Sequence, residues 1–141
     1  MNQSSVSIPS PLLLLKILKE HSGVIEGRKR FQKIVFLLKE KYGIPLKYSF
    51  LSYYYGPYSK ELQRDLNILV RLGLIEEDFD GVMYTYKLTE LGEKLLNKKA
   101  WNIDRKLERK LKDIVKYLEK IDTFKIVSEA KELMKSIEGS A

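Results

Sequence analysis

Apolar residues recur along this chain mostly at helical spacing and switch to alternation once. Leu14, Ile17 and Leu18 predict a first helix over 11–22. Pro11 opens it, where a missing N–H costs nothing, and Gly23 stops it. Phe31, Ile34, Val35 and Leu38 make the apolar stripe of a second helix over 28–42, ended by Gly43 and Pro45. The aromatic stretch 46–55 reads as a short strand, with a turn at Gly56-Pro57. Leu62, Leu66, Leu69 and Val70 carry a third helix that ends at Leu72, and Ser59 is its expected N-cap. After Gly73 the period drops to two. Strands over 74–79 and 82–88 flank Asp80-Gly81, the pair that a two-residue type I′ turn favours. Val82, Tyr84, Tyr86 and Leu88 fall on one face of the second strand, with Met83, Thr85 and Lys87 on the other. Thr89 then caps a fourth helix to Leu96.

Beyond Trp101 two more helices are expected, over 103–121 and 124–137. In the first, Leu107, Leu111, Ile114, Leu118 and Ile121 recur at alternating steps of four and three, an a/d seam of about two heptads. Such a seam suits a homodimer; the alternative is packing onto its own domain. Val127, Ala130, Met134 and Ile137 share one face of the second. The class is therefore mainly α with a small β-hairpin, an α+β fold. Three helices, a hairpin and another helix follow the order of a winged helix-turn-helix domain. In that fold the third helix enters the major groove of DNA and the hairpin is the wing beside it. The expected organisation is a mobile arm over 1–10, the winged helix domain over 11–99 and a helical, dimerising segment over 100–141.

Charge turns this fold expectation into a functional one. The 141 residues carry a formal net charge of +7, which suits a polyanionic partner. There is no cysteine and one histidine, so disulfide frameworks and Cys- or His-based metal sites are not expected. No apolar run approaches the roughly 20 residues of a membrane span, and Leu12–Leu15 lacks the flanks of a signal peptide. A cytoplasmic protein with no cofactor is expected. The Lys, Glu, Ile, Leu and Tyr content leans towards a thermophile. No P-loop, dinucleotide fingerprint, HExxH or GxSxG occurs, and no carboxylate pair stands out, so no enzyme is expected. His21, ending the first helix, reads as a cation suited to the negative helix terminus.

The expected DNA-binding residues fall in two groups. Lys60, Gln63, Arg64, Asn67 and Arg71, with Ser59 at the N-cap, lie opposite the apolar stripe of the third helix. Arg pairs with guanine edges, Asn and Gln with adenine, and Lys with phosphate. Arg28, Lys29, Arg30 and Lys33 crowd the first turns of the second helix, where the helix dipole disfavours cations and an anionic partner would favour them. A solvated charged face is the plain alternative for both groups. The hairpin is the reverse: Glu76, Glu77, Asp78 and Asp80 face a single Lys87. A wing of that charge is unsuited to a phosphate backbone. The acidic hairpin and the heptad tail together allow a protein-interaction module instead. The Tyr53-Tyr54-Tyr55 run allows stacking on single-stranded bases.

Arg30, Gln32-Lys33, Phe36-Leu37-Leu38, Tyr48-Ser49-Phe50 and above all Tyr55-Gly56-Pro57-Tyr58-Ser59 with Glu61-Leu62 resemble the signature of YwgA-like proteins, inferred winged helix regulators of archaea and bacteria. The resemblance covers about residues 24–96. Thr89-Glu90-Leu91-Gly92 is similar to the start of the helix after the wing in MarR- and PadR-type regulators. This implies a transcription regulator that binds double-stranded DNA as a dimer. It implies no particular effector, ligand or catalytic residue.

Overall fold

The computed structural model describes residues 8–98 and 103–139. Residues 1–7 of the arm expected over 1–10, and Trp101, lie outside the described residues. The elements, in order, are α1 (Ser10–Glu20), β1 (Val24–Glu26), α2 (Arg28–Glu40), β2 (Leu51–Tyr53), β3 (Gly56–Tyr58), α3 (Lys60–Arg71), β4 (Ile75–Phe79), β5 (Tyr84–Leu88), α4 (Glu90–Leu96), α5 (Arg105–Glu119) and α6 (Thr123–Gly139). Among the described residues the class is α+β, with six helices and small antiparallel sheets. Among the described residues, no helix is long and apolar enough to cross a membrane.

Two helices form the centre. In α1, Leu12 to Leu15, Ile17 and Leu18 are all buried. In α2, everything from Arg30 to Leu38 is buried. A helix that is apolar around most of its girth needs cover on every side. For α1 that cover comes from α3, α4, α5 and the sheet; for α2 it comes from α6, β1 and β3. Ser10 is already in α1, buried, and its hydroxyl accepts from the Lys47 amide. The arm therefore ends before residue 10, because that hydrogen bond ties the start of α1 to the chain after α2.

The tail supplies much of that cover, and this corrects the expected dimer seam. Leu111 and Leu118 are buried in the common core, beside Val115, Ile126 and Ala130. Leu107, Ile114 and Ile121 are partly buried against the same core. The heptad face is spent within the chain, since α1 would otherwise show its leucines to water.

The strands differ from expectation in three places. Val24–Glu26 was not expected as a strand; it pairs antiparallel with β5, Ile25 opposite Tyr86, giving the order β1-β5-β4. The tyrosine stretch makes its own hairpin, Leu51 opposite Tyr58 and Tyr53 opposite Gly56. Its turn is therefore Tyr54-Tyr55, and Pro57 lies within a strand at the edge, where a missing N–H is tolerated. The β4–β5 turn spans 80–83, since Phe79 pairs with Tyr84. The Asp80 carboxylate accepts from the amides of both Val82 and Met83, and this side-chain turn displaces the two-residue I′ geometry.

Candidate nucleic-acid interface

Helix α3 is fixed at its start by three side chains. Ser59 is buried, and its hydroxyl accepts from the Leu62 amide, the expected N-cap bond. The Gln32 amide grips the same residue at two points: Nε2 donates to the Ser59 carbonyl and Oε1 accepts from the Ser59 amide, at 3.0 and 2.8 Å. Glu61 accepts from the Ser59 hydroxyl and the Ser49 amide. Tyr48 then donates to Asp65 one turn further along, and burial raises its pKa. Gln32, a signature position with no role assigned from sequence, is the residue that sets where α3 begins.

The candidate residues divide on this frame. Lys60, Arg64, Asn67 and Arg71 are exposed and fall within about 60° around the α3 axis. Among the described residues, no hydrogen bond or ion pair holds Lys60, Arg64 or Arg71. Gln63 lies on the shoulder of this stripe and is turned inward. Its Nε2 donates to Asn67 and to the buried Tyr86 hydroxyl, and its Oε1 has no partner among the described residues. Ser59, being buried and committed to the cap, offers nothing to a partner.

The α2 group does not form one face. Consecutive helical residues are turned by about 100°, so the four cannot share a side; Lys29 and Lys33, four apart, border one cavity. Arg28 joins the hairpin: Nε donates to Tyr86, the guanidinium lies 3.6 Å from the Tyr84 ring centre, and Glu77 is its ion partner. Arg30 points the other way and is 6% exposed. It donates to the Leu118 and Glu119 carbonyls, the Thr123 hydroxyl and His21 Nε2. Those carbonyls lie in the last turn of α5, where carbonyls lack partners further along the helix, so Arg30 caps that helix from inside the core. It is out of reach of phosphate.

Lys33 is 3% exposed, and its ammonium has no hydrogen bond or ion pair among the described residues. Burial pushes its pKa down to about 8, with Lys29 and Lys131 adding to the effect. It lines a cavity of about 350 Å³ with Lys29, Lys60 and three tyrosines of the β2–β3 hairpin. His21 is also not the expected cation. Its Nδ1 donates to the Val24 carbonyl, Nε2 accepts from Arg30, and burial lowers its pKa. The ring is a neutral link between α1 and α2. On the hairpin, Glu76, Asp78 and Asp80 remain exposed, while Glu77 is tied to Arg28.

The chain is similar to "Uncharacterized protein YwgA" of Bacillus subtilis, 36% identical over 89 residues, which are 60% of this chain and 52% of that protein. The chain thus spans about half the length of the curated relative it matches. The likeness supports kinship with YwgA-like proteins. No family model and no solved structure matches the chain.

Proposed function

We propose that this protein binds double-stranded DNA through the exposed stripe of α3, as a winged helix transcription regulator. The observation that carries the reading is the stripe itself. Lys60, Arg64 and Arg71 are three cations without acidic partners among the described residues, and Asn67 sits between them. A helix held this firmly at its N-terminus presents them as a rigid unit, which base recognition needs. The winged helix part is supported by the chain order α1, β1, α2, α3, β4, β5, interrupted only by the β2–β3 hairpin before α3, with β1 completing the sheet of the β4–β5 hairpin. Likeness to a YwgA-like protein adds kinship but no activity.

The acidic hairpin shapes how DNA would be met. Glu76, Asp78 and Asp80 are repelled by phosphate, so the duplex lies against α3 and away from the β4–β5 turn. A homodimer, where one forms, uses a face other than the heptad seam. The alternative of a protein-interaction module keeps the acidic hairpin but loses that seam.

Fluorescence anisotropy of the whole chain on duplex DNA tests the reading. The expected slope of log K against log salt is about −3 per chain, one charge for each unpaired cation. Lys60→Ala weakens all sequences alike and reduces the slope by about one. Arg64→Ala costs about 1–3 kcal/mol and relaxes preference at the base it reads. Affinity that is undetectable at low salt, or indifferent to salt, overturns the proposal.

A further inference from the structure

The cavity between the start of α2 and the β2–β3 hairpin shares only Lys60 with the α3 stripe of the duplex reading. Its walls are Tyr53, Tyr55 and Tyr58, and Lys33 reaches into it. Tyr53 and Tyr58 meet edge to face at 5.5 Å, while Lys29 stands 4.4 Å from the centre of the Tyr55 ring at the rim. Gly56 closes the inner end: a Cβ there would sit 3.3 Å from Lys33 Cε and 3.1 Å from Lys131 Cγ. A backbone φ of 108° suits only glycine at that point, so the chain keeps the space beside both lysines open.

Lys29, Lys33 and Lys60 line this apolar, aromatic cavity with no carboxylate among the described lining residues, which is an unbalanced arrangement. A buried ammonium is normally paired. With a pKa of about 8, Lys33 is still protonated at neutral pH, so the missing counter-charge is a real deficit. A singly charged carboxylate leaves most of it in place; a phosphate monoester, close to a dianion, matches it better. The tyrosine walls favour a planar ring, and base–aromatic stacking tolerates any base. At about 350 Å³ the cavity is at the small end of ligand sites, with room for one ring system and its anionic group.

We propose that this cavity is a binding site for one nucleoside monophosphate unit, free or at the end of a single strand, with its phosphate at Lys33 and its base against the hairpin tyrosines. Of the α3 stripe only Lys60 borders this cavity, so Lys33 and Tyr55 report on this site while Arg64 and Arg71 report on duplex binding, and the two readings fail independently at those positions.

Isothermal titration calorimetry on the whole chain at low salt tests this with adenosine monophosphate, adenosine, inorganic phosphate and a 5′-phosphorylated oligothymidine. Adenosine monophosphate is expected to bind at least about tenfold more tightly than adenosine or phosphate, because both halves of the ligand contribute. Lys33→Met, which removes the ammonium and keeps the volume, is expected to weaken binding by about tenfold or more. The same variant is expected to leave duplex affinity within about twofold, since Lys33 is buried and is not one of the stripe's exposed side chains. Tyr55→Ala, at an exposed position, is a second variant that leaves the fold intact and weakens the nucleotide. Binding of the oligonucleotide but not the free nucleotide, lost in Lys33→Met, assigns the ligand to a strand end. If neither binds better than phosphate, or if folded Lys33→Met and Tyr55→Ala both bind as the parent does, the proposal is wrong.

Discussion

Arg30 and His21 show how one side chain's surroundings decide its chemistry. Both are basic residues on surface-like stretches of sequence, and both are buried in a single hydrogen-bonded cluster with Val24, Leu118 and Thr123. His21 accepts from a guanidinium, so a proton on Nε2 would face a cation across 3.3 Å. Its folded pKa therefore lies below the ordinary 6.5, mainly through burial. The unfolded chain takes up this proton first as pH falls. Its contribution is fully present above about pH 6.5 and is lost on descending towards the lower folded value. Thermal melts between pH 7 and 5.5 are expected to show a falling midpoint. In His21→Asn, which has no titrating ring, that part of the fall disappears. An unchanged pH profile in the variant contradicts this account.

At the scale of elements, the joints between helices and strands are more demanding than their interiors. The apolar stripe predicted for α3 is observed, with Leu62, Leu66 and Leu69 buried, and so is its Ser59 cap. Stripes and caps are local, so period and propensity reveal them. The clamp of Gln32 on Ser59 joins residues 27 apart and has no local signal. The joint at α4 is similar. Thr89 caps the helix through the Gly92 amide and donates to the Gly73 carbonyl. Gly92 then lies so close to the residue before β4 that a Cβ would stand 2.3 Å from the Leu74 carbonyl oxygen. That contact gives the Thr89–Gly92 motif a physical reason. Gly92→Ala is expected to destabilise the protein by about 2 kcal/mol, despite alanine's better helix propensity. Denaturant unfolding measures it, and a stabilised variant would show that α4 shifts without cost.

For the whole molecule, the central fact is that α1 and α2 lie inside, with the tail laid over them. The heptad seam of α5 was legible as an apolar face, but its partner was not. Two copies of the chain and one folded chain satisfy the same pattern equally well. The deciding feature is the run Leu12–Leu15, buried on all sides, which demands more cover than α3 and the hairpin supply. Leu111→Ala, at a site 1% exposed, is accordingly expected to cost about 2–4 kcal/mol of folding stability. Its mass in solution, by light scattering, is expected to equal that of the parent at every concentration. A drop in mass without loss of stability would return the seam to a partner.

The sequence alone determined the helices, the β4–β5 hairpin, the caps at Ser59 and Thr89, the excess of positive charge and the stripe on α3. Each is set by residues within a few positions of one another, or by totals. Only the tertiary structure decided which cations face water. Lys29 and Arg64 are exposed, while Arg30 caps α5 and Lys33 looks into a tyrosine-walled cavity. It also decided that β1 joins the sheet and that the tail folds home. A basic residue's role depends on which distant carbonyl, ring or acid the fold brings to it. Burial energy, summed over the whole core, makes that choice.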